Sequence, residues 1–170
     1  MAPLVRRGWS PRGYRPLLYQ RGGSWEKVSI IAALVVNPQR NRVHLYFRLH
    51  PGCNITAQRA SEFLAQLLHQ LPGHGVLLWD RLRAHRSRRV QARLAQSPRL
   101  HPEFFPPYAP ELNPTKYVWS YLKTNPLANL PLYDLDSLTT TARHHTRSLQ
   151  RKPNLLRSFL RLSPLSLRLT

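Results

Sequence analysis

The stretch that decides the fold runs from Leu77 to Lys123. It opens with LLWDRLRAHRSRRV (residues 77–90) and closes with FFPPYAPELNPTKYVWSYLK (residues 104–123). The short apolar run from Gly75 to Trp79 predicts a buried strand, and Asp80 follows it directly. Open α/β sheets place their chemistry at the carboxyl ends of their strands, so this pattern predicts that Asp80 is a site residue.

The second block is a loop punctuated by prolines that opens a helix. Its prolines exclude regular structure until Asn113 and Pro114, which form a typical helix start with an N-cap followed by Pro at the first helical position. The helix that follows carries Lys116, Trp119 and Lys123. The sequence therefore predicts a strand, an acid, a loop and a helix start in that order.

These blocks resemble the DDE transposases of bacterial insertion sequences, the mariner-like branch of the RNase H-like nucleotidyl transferases. The matching positions are Asp80, His85, Pro106 to Pro114, Trp119 and Lys123. The 35 residues between Asp80 and Lys116 also fit the family's separation of its second and third acids. The resemblance covers nearly all of the chain and implies an α/β fold, an RNase H-like mixed sheet flanked by helices.

The resemblance also implies a catalytic site that this chain only partly retains. Three carboxylates of the family hold two Mg²⁺ or Mn²⁺ ions about 4 Å apart. Here Asp80 occupies the second acid's position as the remaining metal ligand, while Lys116 occupies the third. The first acid lies upstream of a family segment that matches Ala2 to Gly13, so we expect the first strand to be missing. We therefore expect poor metal binding and no catalysis.

The charge of the chain indicates a polyanionic partner. Its 26 basic and seven acidic residues give a net charge of +19, which predicts binding to nucleic acid that falls steeply with salt. The resemblance specifies DNA, transposon ends in the family. The side chains expected to contact it are His85, Arg86, Arg88, Arg89, Tyr108, Asn113 and Lys123.

Targeting signals are sparse. Cys53 is the single cysteine, so no disulfide framework forms within the chain. The longest apolar stretch, Val28 to Val36, is too short to cross a membrane, and no membrane partner is expected. We expect a cytoplasmic bacterial protein associated with the nucleoid, and a homodimer is left open.

Length and pattern predict a single domain over residues 1–170, with a basic N-terminal segment 1–25 and a helical C-terminal tail 135–170. The predicted strands are Lys27 to Val36, Val43 to Leu49, Gly75 to Trp79 and Leu100 to Phe105. The predicted helices are one capped by Thr56 and ended by Pro72, one from Ser87 to Leu94, and three over Leu112 to Leu122, Leu135 to Gln150 and Asn154 to Leu162.

Two other functions are compatible with the sequence. The first is a basic RNA-binding or ribosome-associated protein whose similarity to transposases is only ancestral; affinity for transposon-end DNA over random duplex would separate it from a transposase fragment. The second is an active metal-dependent nuclease that uses Asp80 with other acids. The small number of acids, none at the required spacing, disfavours it.

Each candidate residue also has a purely structural interpretation. An aspartate after a strand is most often a turn or cap residue, and arginine clusters on a helix are usually solvated. His144 and His145 could in principle bind zinc, although two neighbouring histidines rarely do so alone.

Overall fold

The computed structural model describes residues 9–14, 17, 27–129, 134–165, 167 and 169. Most of the basic segment 1–25, including much of the stretch from Ala2 to Gly13, lies outside these residues. The described residues form four strands and five α-helices. None of these helices is both long and apolar enough to span a membrane.

The first unit is an antiparallel hairpin. Strand β1 (Val28–Val36) pairs with β2 (Val43–Pro51), as the β-branched pattern predicted. Asn37 holds the turn because its side-chain oxygen accepts the N–H groups of Asn41, at 3.0 Å, and Arg42, at 2.8 Å. The predicted hairpin is confirmed.

The second unit is a pair of parallel strands joined by a helix. Strand β3 (Gly75–Trp79) pairs with β4 (Leu100–Phe104), and α2 (Arg88–Ala95) connects them. Ser87 caps α2 by accepting the N–H of Val90 at 3.3 Å. Antiparallel and parallel pairs therefore coexist, which confirms the mixed pairing expected from the sequence.

Helix α1 (Ala57–Gln70) links the two units. The Thr56 side chain caps it by accepting the N–H of Arg59 at 3.4 Å. Its apolar face packs against residues of both β1 and β3, including Ile31, Leu77 and Trp79. Helix α1 therefore covers one face of both strand pairs.

Three helices complete the described chain: α3 (Thr115–Thr124), α4 (Leu135–Gln150) and α5 (Pro153–Leu162). The helix expected near Leu112 begins at Thr115, directly after the Asn113 and Pro114 that the sequence predicts as its start. Pro110–Leu112 forms a short 3₁₀ turn, and Asn113 is extended with φ −90° and ψ 100°. The residue before a proline is disfavoured in the α region, so Pro114 delays the start of the helix.

These last helices cover only the hairpin. Together with β2 they enclose the cluster of Val43, Leu45, Val118, Leu122, Leu127, Ala142, Leu149, Leu156, Phe159 and Leu160. On β3 the corresponding side chains are bare, since Val76 is 64% and Leu78 is 41% exposed. Among the described residues, no strand joins the hairpin to the parallel pair.

Candidate functional site at the end of strand β3

Asp80 lies at the carboxyl end of β3, where the chain turns. One oxygen of its side chain, Oδ1, accepts the N–H of Leu82 at 3.1 Å, which is the local hydrogen bond of an Asx turn. The side chain remains 45% exposed. Asp80 therefore serves both as a turn residue and as an accessible carboxylate.

His85 is the nearest functional partner of Asp80. Its Nδ1 lies 2.8 Å from Asp80 Oδ1, and a carboxylate only accepts, so Nδ1 carries the proton. The imidazole stacks on the Trp79 indole, with ring centroids 4.4 Å apart and an interplanar angle of 13°. The backbone N–H of His85 also donates to Leu82 O at 2.9 Å. The turn therefore fixes both rings beside the carboxylate.

The surroundings keep Asp80 ionised. The hydrogen bond from His85 is the largest cause of its lowered pKa, assisted by the backbone N–H of Leu82 and the positive charge of Lys116. Partial burial acts in the opposite direction but is outweighed. The Lys116 ammonium thus acts electrostatically on the Asp80 carboxylate.

The start of α3 presents Lys116. Asn113 is buried, and its side-chain oxygen accepts from the N–H of Thr115 at 3.1 Å, which confirms the predicted helix cap. Lys116 follows in the first helical turn and is exposed. The start of α3 therefore carries a cation close enough to lower the pKa of Asp80.

Two hydrogen bonds tie the two sequence blocks together. The N–H of Phe105 donates to Trp79 O at 3.0 Å, and Arg81 Nε donates to Phe105 O at 2.9 Å. Arg81 therefore anchors the proline loop beside the Asp80 turn. No local sequence pattern signals this contact, because a lone arginine after an aspartate is compatible with many partners.

The predicted nucleic-acid contacts occupy different parts of this surface. Arg86, Arg88 and Arg89 are exposed at and beyond the start of α2, while Lys123 is half-buried near the end of α3. Tyr108 is fully exposed in the proline loop. A role in nucleic-acid binding remains a prediction for all of these residues, and also for His85 and Asn113, whose described contacts are structural.

The residues at this site do not fit a two-metal centre. Within the described ranges, no group of three or more His, Cys, Asp or Glu side chains could hold a metal ion. Oδ1 of Asp80 already accepts from His85 and Leu82, and Lys116 adds a positive charge. Mg²⁺ prefers several oxygen ligands in octahedral geometry, which one carboxylate cannot supply.

A mixed α/β layer flanked by helices, with a carboxylate at the end of a parallel strand, fits an RNase H-like fold. Residues 2–139 match the family described as DDE superfamily endonuclease. The chain therefore belongs to the DDE superfamily endonucleases.

The chain is also similar to solved structures and to a curated relative. The Mos1 mariner paired-end complex with Mn superposes with a TM-score of 0.63 at 16% identity, covering 95% of this chain and 49% of that chain. The Mos1 catalytic domain gives a TM-score of 0.57 at 18% identity, over 79% and 74% of the two chains. An uncharacterised Sinorhizobium fredii protein, y4pE/y4sA, is 32% identical over 92 residues. That match spans 53% of this chain and 64% of the relative.

Proposed function

We propose that this chain is a DDE transposase catalytic-type domain that binds DNA and does not cut or join it. The observation that carries this proposal is the environment of Asp80: its carboxylate accepts from His85 and feels the positive charge of Lys116, and within the described ranges it is not grouped with further carboxylates. DDE enzymes use divalent metals, and a cation in place of a ligand repels them. Asp80 marks the ancestral metal position, and Lys116 marks the position of the lost third acid.

The unpaired edges of β1 and β3 support a place for the first acid. Strands β1 and β3 each have one edge without a strand partner among the described residues, and both pack on α1. A strand inserted there and parallel to β3 would end beside Asp80, because parallel strands share their carboxyl edge. We propose that the first acid of the family belongs at the end of such a strand.

DNA binding rests on charge. The net charge of +19 is accompanied by an exposed arginine cluster at α2, formed by Arg86, Arg88 and Arg89, close in sequence to the Asp80 turn. Arginine binds phosphate through two donors, and most non-specific affinity for DNA comes from such contacts. Association with transposon ends, with a second copy of the chain and with the bacterial nucleoid are further predictions of the same proposal.

Binding is tested with a labelled duplex DNA and a duplex RNA of matched sequence across a salt series. We expect affinity for DNA to fall steeply with salt, and the double variant Arg88→Gln, Arg89→Gln to weaken it by about one order of magnitude. The matched control, Arg147→Gln with Arg161→Gln, removes two exposed arginines from α4 and α5 and should change affinity much less. Preference for RNA over transposon-end DNA would instead favour the RNA-binding alternative.

Catalysis is tested separately by Mn²⁺-dependent nicking of a supercoiled plasmid. We expect no nicking by the unchanged chain, by Lys116→Glu, or by a fusion that adds a strand ending in Asp, because each holds at most two of three acids. Activity should require both changes together and should vanish with Asp80→Ala. Nicking by the unchanged chain that Asp80→Ala abolishes would contradict the proposed inactivity.

A further inference from the structure

The proline loop holds Tyr108 in an unfavourable backbone conformation. Its φ is +59°, in the left-handed region that a bulky side chain rarely adopts. The residue is also fully exposed, at 101% of its reference area, so packing within the chain does not offset the strain. Such uncompensated strain is a feature of binding sites, where the surroundings impose a conformation that a ligand uses.

The loop is fixed on both sides of Tyr108. At its start, Phe105 is buried and hydrogen-bonded to β3 and Arg81. At its end, Ser163 Oγ donates to Leu112 O at 2.9 Å, and Asn113 caps α3. Pro106 and Pro107 further restrict the backbone directly before the tyrosine. The phenol ring is therefore presented by a rigid support, which lowers the entropy cost of binding.

Cations lie on the elements that flank the proline loop. The loop starts beside the end of β3, from which the exposed Arg83 and Arg86 follow, and it leads into α3 with the exposed Lys116. Proteins that bind single-stranded nucleic acid combine such cations with aromatic rings on which bases stack. Bases within a duplex already stack on each other and leave no free face for a protruding ring.

We propose that Tyr108 is a stacking platform for an unpaired base of single-stranded DNA. This inference rests on the proposed DNA binding and specifies the form of DNA that the loop recognises. The neighbouring cations bind the phosphates, and the phenol ring binds the base face. The hydroxyl has no part in stacking, so phenylalanine should replace tyrosine without loss.

The experiment compares two variants on two single strands. Tyr108→Asn removes the ring but suits positive φ, whereas Tyr108→Phe keeps the ring. One oligonucleotide carries a base at every position, and the other has the same length and charge but a central run of abasic sites. Affinity for both, and for a duplex, is measured by fluorescence anisotropy, and urea unfolding checks that each variant is folded.

We expect Tyr108→Asn to weaken binding to the strand with all its bases by roughly 5- to 150-fold, the range for loss of one stacked base. Binding to the abasic strand and to the duplex should hardly change, Tyr108→Phe should match the unchanged chain, and stability should not fall. Equal weakening on based and abasic strands, or no weakening at all, would overturn the stacking role. Failure of the unchanged chain to bind any DNA would refute the proposed function itself.

Discussion

The two halves of this domain differ in how their strands are covered. The hairpin half, β1 and β2, lies between α1 on one face and α3, α4 and α5 on the other. The parallel half, β3 and β4, has α1 and α2 on one face only, and Val76 and Leu78 are exposed on the other. We therefore call β1 and β2 the closed half, because helices cover both of its faces, and β3 and β4 the open half, because helices cover only one.

The closed half contains a buried apolar core, whereas the open half carries candidate functional residues. The closed half holds several of the largest fully buried side chains, such as Leu122 and Leu149, whose burial stabilises the fold. The open half carries Asp80, His85 and the arginines of α2, all within reach of solvent. Residues that must meet a ligand cannot also be sealed in a core, so the open half is the expected place for function.

The largest expected effect is in the closed half. Leu122 is completely buried, and Leu122→Ala should lower the free energy of unfolding by about 3 kcal/mol because it removes apolar contacts and leaves a cavity. Urea unfolding followed by tryptophan fluorescence measures this change.

The matched control is Leu78→Ala in the open half. The same atoms are removed from a side chain that is 41% exposed, so the loss should be about 1 kcal/mol or less. Equal losses for the two variants would show that the open face is covered in solution, and the comparison between the halves would fail.

The second expected effect concerns acid stability of the open half. The pKa of Asp80 is lowered below its ordinary value of 3.8, chiefly by the His85 hydrogen bond. A lowered carboxyl pKa stabilises the fold above the unfolded value, and this contribution is lost as pH falls through the folded pKa. Asp80→Asn should therefore cost about 1 kcal/mol at neutral pH, a figure reduced for the exposure of the side chain.

Between pH 5 and pH 3, the free energy of unfolding of Asp80→Asn should fall by less than that of the unchanged chain, as measured by urea unfolding at each pH. His85→Ala is the matched control, since it removes the same hydrogen bond from the other side. The two variants and their double mutant form a cycle whose coupling energy reports the pair directly. A coupling energy of zero would mean that the hydrogen bond contributes nothing to folding.

The sequence predicted the elements because each has a local cause. Alternation and β-branched residues mark β1 and β2, and leucines at helical spacing mark α1. Thr56, Ser87 and Asn113 mark helix starts through side-chain oxygens that accept backbone N–H groups. The Asp80 strand end was likewise readable, because an apolar run that stops at a carboxylate is a local pattern.

The remaining features depend on contacts between distant residues. Arg81 bonds to Phe105, 24 positions along the chain, and no local pattern signals such a partner. The positive φ of Tyr108 is also unpredictable from its type, since tyrosine normally avoids that region. The open face of β3 arises from where α3, α4 and α5 pack, which periodicity within β3 cannot reveal.

The smallest expected effect tests that open face directly. Val76 is 64% exposed on β3, and Val76→Thr keeps the branched shape and the strand preference while it adds a hydroxyl. On a solvated face the hydroxyl meets water, so the free energy of unfolding should change by less than about 0.5 kcal/mol. Beneath a covering element the same hydroxyl would be desolvated and would cost about 1 to 3 kcal/mol. Val43→Thr, the same substitution at a buried position of β2, supplies the reference for that larger cost. A loss at Val76 as large as that at Val43 would mean that this face of β3 is covered in solution, and the comparison between the two halves would fail.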